Sequence, residues 1–282
     1  MLALGVDVSI ARGLDIVALD QDLRPHVTLR KQSIAELGSV IRRLEPSIVA
    51  VDSPPGWSTE GSSRPIERQL ARLGINIFAT PSAPAGRGFY SWMAVGFQVF
   101  EAAAQLGYPA FAGLGTLMHT CIEVFPHASA VTLRGSVPAS NVRKRVWRRQ
   151  VLEDQGVQTD ALVTVDQLDA ALAAFTGIRA LQGKSCWVGT PREAVLVLPI
   201  PNLPAMRYLR DVAGPSVSAS AGGAETWSGP ASKSCDCGCG ALVTRRYWPG
   251  HDARHRSQLR SRAASGDQEA VDTLRVLGWA EP

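Results

Sequence analysis

The chain has 282 residues, 45% of them apolar, and a formal net charge of +4. That length and apolar share supply a sizeable core for one large domain or for a domain with an appendage, and the mild basicity permits a polyanionic partner without demanding one. No apolar run approaches the ~18 residues of a membrane span, and Asp7 interrupts an N-terminal run that has no basic leader, so neither a membrane span nor a secretory signal is expected.

Leu2 to Asp7 reads as a first strand. A turn at Arg12-Gly13 leads to a second strand over Leu14–Leu19, paired back as a hairpin, and His26–Lys31 alternates like a third. Ser33 and Glu36 make a capping box for a helix with an apolar stripe at Ile34, Leu37, Val40, Ile41 and Leu44, which ends before Pro46. Ile48–Asp52 follows as a fourth strand. Three strands, a helix and a strand imply a meander and a crossover that returns the chain beside the first strand. Asp7 and Asp52 then lie side by side at one sheet edge, where ligand chemistry gathers in open α/β sheets. Either aspartate alone is equally a strand cap or the start of a turn.

Ser53-Pro54-Pro55-Gly56 is a rigid turn. The segment from Ser58 to His119 carries helical patterns over about 65–73 and 90–106 and reads as an insertion covering the site, with Arg64, Glu67, Arg68 and Arg72 on polar faces. Cys121–Phe125 is a fifth strand, ending at Pro126-His127. Glu123 faces away from Ile122 and Val124, and a long acid in a buried strand calls for a partner or a metal. A helix over Asn141–Gln155 carries Arg143, Lys144, Arg145, Arg148 and Arg149, with Val142, Val146, Trp147 and Leu152 supplying its inward face. Its bases are either a solvated face or a track for phosphates. Asp166 and Asp169 open the next helix from one side of its first turn. Two acids there also favour the helix dipole unaided. Cys186–Gly189 and Ala194–Leu198 read as a closing hairpin.

The domain is expected over residues 1–205, a flexible Ser/Gly/Ala/Pro linker over 206–234, and a small module over 235–282. Five cysteines, with Cys121 and Cys186 isolated and Cys235, Cys237 and Cys239 crowded together, do not form a secreted disulfide framework. They fit a reducing cytoplasm with one metal cluster. Thiolates with imidazole suit Zn²⁺, and the best set is Cys235, Cys237, Cys239 and His251, with His255 as substitute. A reduced, metal-free turn is the other reading. Arg254, Arg256, Arg260 and Arg262 give the module a basic face for nucleic acid.

Asp7, Asp52, Glu123, Asp166 and Asp169 are thus acids on separate elements able to converge at one sheet edge. Hard oxygen donors suit Mg²⁺ or Mn²⁺, and such ions activate water and stabilise the leaving oxygen in phosphodiester hydrolysis.

The motifs Gly5-Val6-Asp7, Val51-Asp52-Ser53-Pro54-Pro55-Gly56, Ile122-Glu123-Val124-Phe125-Pro126 and Asp166-x-x-Asp169-Ala170, with Gly189 and Val195–Pro199, resemble the DUF429 family of predicted nucleases over about residues 1 to 200. The Asp-x-x-Asp-Ala helix is also similar to that of Holliday-junction resolvases. The resemblance implies a ribonuclease-H-like α/β fold: a mixed sheet of a three-strand meander plus parallel strands, flanked by helices. It implies a metal-dependent nuclease acting on DNA or RNA. Asp7 and Asp52 would bridge Mg²⁺ or Mn²⁺, Glu123 would help hold or orient it, and Asp169 with Asp166 would complete the site. Lys144, Arg145 and Arg148 would bind phosphates. The alternative is a non-catalytic nucleic-acid-binding or scaffolding member of the same fold. The tail resembles a Cys-x-Cys-Gly-Cys…Pro-Gly-His-Asp-Ala-Arg module found at the ends of some bacterial proteins.

Overall fold

The computed structural model describes residues 1–59, 61–82, 90–211, 233–234, 242–243, 251–277 and 279. The chain divides into two units, Met1–Ser216 and Val217–Pro282. In the first, β1 (Leu2–Ser9), β2 (Gly13–Asp20) and β3 (Pro25–Gln32) form an antiparallel meander. Helix α1 (Ile34–Leu44) then carries the chain to β4 (Ile48–Asp52), which lies parallel to β1. Ser33 and Glu36 form the capping box that starts α1, and Glu45 ends it in the left-handed region.

Next come α2 (Pro65–Arg72), α3 (Ser91–Gln105), β5 (Cys121–Glu123), α4 (Pro126–Arg134), α5 (Lys144–Asp154) and α6 (Val165–Leu181). The hairpin β6 (Cys186–Thr190) and β7 (Ala194–Leu198) closes the sheet. Strand order is β3-β2-β1-β4-β5-β7-β6, with β1, β4, β5 and β7 mutually parallel. A three-strand meander continued by parallel strands and flanked by helices is the ribonuclease-H-like arrangement expected from the sequence.

Side chains alternate between the sheet faces. Leu4, Val6, Val49 and Val51 pack with α1 and α3 through Leu37, Ile41, Val99 and Phe100. Ala3, Ile48 and Ala50 pack with α6 through Ala170, Ala173, Ala174 and Ile178. Helix α6 is almost wholly buried and alanine-rich, which lets it lie close on β1 and β4. Gly5 makes that approach possible: a Cβ there would stand 1.9 Å from the Ala170 carbonyl oxygen and 2.5 Å from the Ala174 nitrogen.

Two local expectations are corrected. The fifth strand ends at Glu123 and not at Phe125, and Pro126 starts helix α4, where its fixed φ suits a helix and its missing N–H costs nothing. The inward face of α5 is Trp147, Arg148, Val151 and Leu152, whereas Val142 and Val146 are exposed. Arg148 turns inward with Trp147, Val151 and Leu152 and meets the buried Asp169 carboxylate, so charge and hydropathy together set the helix's rotation.

Residues 208–211, expected as linker, are hydrogen-bonded to the first unit. The Tyr208 N–H donates to the Leu73 carbonyl at 2.9 Å, Val137 N–H to Leu209 O at 2.9 Å, and Asp211 N–H to Val137 O at 2.8 Å. In the second unit β8 (Lys233–Ser234) and β9 (Leu242–Val243) pair antiparallel. Helices α7 (His251–Ala264) and α8 (Gln268–Val276) share a small core of Leu259, Ala270 and Leu274. No described helix is long and apolar enough to cross a membrane.

Candidate metal centre

Asp7 and Asp52 are register partners at the carboxyl ends of parallel strands β1 and β4. By alternation both share the face of Ala3 and Ala50, the face that α6 covers. Asp169, one turn into α6 and 4% exposed, completes a group of three: one carboxylate oxygen from each of Asp7, Asp52 and Asp169 lies within 4.8 Å of the others. Asp169 immediately precedes Ala170, whose carbonyl fills the space beside Gly5. The close helix–sheet contact and the acid cluster are therefore consequences of the same packing.

Charge is distributed unevenly over the three. Asp169 accepts from Arg148 Nε and pairs with Lys144 Nζ, both at 2.7 Å. Among the described residues Asp7 and Asp52 make no ion pair or side-chain hydrogen bond that offsets their charge. Burial, reinforced by Asp52, Asp169 and Asp166, pushes the Asp7 carboxyl up to about 9, against a weaker pull from Lys144. Burial and then the Asp169 charge push Asp52 up to about 8, opposed by Lys144 and Arg148. Crowded carboxylates behave this way when no cation compensates them. Three converging hard oxygen donors, two of them uncompensated, fit a Mg²⁺ or Mn²⁺ ion.

A model of the family described as "Protein of unknown function (DUF429)" matches residues 5–193. The chain belongs to the DUF429 family. No curated protein matches it. Among solved structures, this DUF429 chain is similar to RuvC from Thermus thermophilus, at 15% identity and a TM-score of 0.36, covering 64% of this chain and 94% of that one. It is similar too to T. thermophilus RuvC in complex with a Holliday junction substrate, at 17% identity and a TM-score of 0.36, covering 64% and 93% of the two chains. Likeness at that level says nothing about activity.

The other sequence-selected residues of the DUF429 chain divide between the rim of this cluster and sites apart from it. Glu123 is the register partner of Val51, so it belongs to the sheet face opposite Asp52. There it accepts a two-pronged pair from Arg64, Nη1 to Oε2 at 2.8 Å and Nη2 to Oε1 at 2.7 Å. Burial pushes the Glu123 carboxyl above its usual range, and Arg64 pulls it only part of the way back. Asp166 is partly exposed and pairs with Arg12 at 3.2 Å. Arg145 donates to the Val163 carbonyl, and Arg148 is 2% exposed, so of the three expected phosphate binders only Lys144 presents an exposed ammonium near the acids. Cys235, Cys237 and Cys239 and the His251 side chain lie outside the described residues. His255 packs edge-on against Trp279.

Two residues near the centre were missed in the sequence. Arg64 was placed on a polar face, yet it is buried between Glu123 and Glu67, with Thr80 donating to the same Glu67 carboxylate at 3.0 Å. Its signal was the Arg64-Pro65-x-Glu67 pattern, in which Glu67 also accepts from the Arg64 backbone N–H at the helix start. His127 opens α4 in the turn after β5. Burial, then Arg148 and Lys144, push its imidazole down to about 4, so it is neutral at physiological pH.

Proposed function

We propose that this protein is a divalent-metal-dependent nuclease that hydrolyses phosphodiester bonds of DNA or RNA. One observation supports this most: Asp7, Asp52 and Asp169, far apart in sequence, bring carboxylate oxygens within 4.8 Å of one another at the carboxyl ends of β1 and β4. Those residues would hold Mg²⁺ or Mn²⁺, which supplies a Lewis acid that activates water and stabilises a leaving oxygen. Asp7 and Asp52 are the principal donors, since neither has an ion pair among the described residues. Lys144, on the rim and 58% exposed at its side chain, offers a charge to a substrate phosphate while holding Asp169 in place. Arg148 fixes Asp169 from the buried side. Glu123 and Asp166 act through the field they add, since each is already engaged by an arginine. In the second unit, Cys235, Cys237, Cys239 and His251 are proposed as a structural zinc set on the chemistry of their donors.

The experiment is cleavage of single-stranded, duplex and branched oligonucleotides with Mg²⁺ or Mn²⁺, using the wild type and Asp7→Asn. The variant keeps the side chain's shape and loses the charge. Its cleavage should fall below detection while its far-UV spectrum stays unchanged. Undiminished cleavage by Asp7→Asn would refute the assignment.

A second reading, a non-catalytic nucleic-acid-binding member of the fold, is favoured by the two cations already seated on Asp169. It predicts salt-sensitive binding without turnover under every metal condition.

A further inference from the structure

Beside the acid cluster lies a cleft of about 210 Å³ that shares Asp52 and Lys144 with it. Its walls include Trp92 from the first turn of α3, Phe78 and Ile77 from the irregular segment after α2, and Phe125 after β5. Ile77 and Phe125 pack partly buried against the core, while Trp92 is only half-buried. Indole surface left partly open at the mouth of a charged site costs hydration free energy, and proteins place it where something planar and apolar is to be covered. The Arg64–Glu123 pair forms a polar, internally satisfied part of the lining.

The cleft's size narrows the occupant. At 210 Å³ it falls below the ~300 Å³ at which pockets for drug-sized molecules begin, so it accommodates one planar ring system and not a base pair. Its position narrows it further. A strand whose phosphate meets Lys144 and the acids has its adjoining base within reach of a cavity that opens on those same two residues. A duplex keeps its bases stacked and paired, so only an unpaired or extruded base can enter.

We propose that this cleft is a nucleobase subsite: it takes one unpaired base of a single-stranded stretch of nucleic acid, stacked against Trp92, and so selects single-stranded over duplex substrate at the acid cluster. The inference rests on the nucleic-acid reading of that cluster and adds to it the form of strand that is bound. Stacking on aromatic side chains is tolerant of base identity, so the subsite discriminates by strand form and not by sequence.

The test uses the full-length chain as Asp7→Asn, which removes cleavage from the measurement, and fluorescence anisotropy with three labelled probes of equal charge. These are a 12-nucleotide oligo(dT), the same length of abasic deoxyribose-phosphate strand, and oligo(U). A duplex of the deoxy strand is the competitor. Oligo(dT) and oligo(U) are expected to bind more tightly than the abasic strand, and the duplex to compete poorly. Trp92→Leu added to Asp7→Asn should lower affinity for base-bearing strands by roughly 5- to 150-fold, the equivalent of ~1–3 kcal/mol, and leave the abasic strand unaffected. Trp92→Phe should restore most of the loss, which separates lost stacking from lost folding. Equal binding of abasic and base-bearing strands, or a base preference surviving Trp92→Leu, would overturn the subsite. The two readings fail separately. Asp7-dependent cleavage without any base preference removes the subsite alone, and base preference without cleavage by the wild type removes the nuclease alone.

Discussion

Two groups of enclosed carboxylates, one at β5 and α2 and one at β1, β4 and α6, stand on opposite faces of the same sheet, and they solve one electrostatic problem differently. On one face Glu123 and Glu67 are bridged by Arg64, whose planar fork gives each a bond at 2.7–2.8 Å. On the other, Asp7, Asp52 and Asp169 face one another, and among the described residues only Asp169 is ion-paired, to Lys144 and Arg148. The first group is closed: each charge has a protein partner, so it braces the insertion against β5. The second is left open, with two carboxyls pushed up to about 9 and about 8 by burial and by one another. Enclosed acids become a candidate site when the fold withholds their counter-charge.

The largest effect should come from breaking the closed group. Arg64→Leu strands Glu123 and Glu67 without a partner, and urea denaturation should show a loss of ~3–5 kcal/mol. Adding Glu123→Gln should recover part of it. A loss no larger than that of an ordinary surface substitution would mean the pair is not holding the insertion.

The open group should respond to pH in a way that a divalent cation reverses. The Asp7 and Asp52 carboxyls sit higher in the folded chain than their ordinary value of 3.8, so the fold binds more protons there than the unfolded chain. Their contribution to stability is therefore fully present below about pH 4 and is lost as pH rises through about 8 to 9. Without divalent cation, the melting temperature should fall between pH 6 and pH 9. Millimolar Mn²⁺ should reverse that fall by binding the ionised carboxylates, most strongly at the alkaline end. Asp7→Asn should flatten the metal-free profile and remove most of the Mn²⁺ response. A profile that Mn²⁺ leaves unmoved would argue that the group holds no cation.

The smallest effect is expected at Lys144, whose side chain is 58% exposed. Lys144→Met should change stability by less than ~1 kcal/mol, since solvent screens an exposed pair. It should tighten Mn²⁺ binding measured by calorimetry, because an ammonium beside Asp169 competes with the metal, and it should weaken oligonucleotide binding at low salt.

Much of this was legible in the sequence. Two short apolar runs that each end in an aspartate, Leu2–Asp7 and Ile48–Asp52, with one crossover helix between them, are enough to put Asp7 beside Asp52. The Asp166-x-x-Asp169 spacing announced the helix that meets them. The partners of the acids were not legible. Arg64 and Glu123 are 59 residues apart, and Arg148 and Asp169 are 21 apart. An arginine on an amphipathic pattern reads as solvent-facing until something buried claims it. The same holds for Asp166 and Asp169, equivalent on paper: the lie of α6 on Gly5 buries Asp169 against the strands and leaves Asp166 to Arg12.

The sequence by itself determined the strands, the crossover and the adjacency of Asp7 and Asp52 at the sheet edge, because apolar runs, caps and turn chemistry are local properties of the chain. Only the tertiary structure decided which acids are compensated, which way α5 turns, and that aromatic side chains enclose a cleft beside the acids. Those outcomes depend on which charges and surfaces meet across the sheet, and packing alone brings them within reach of each other.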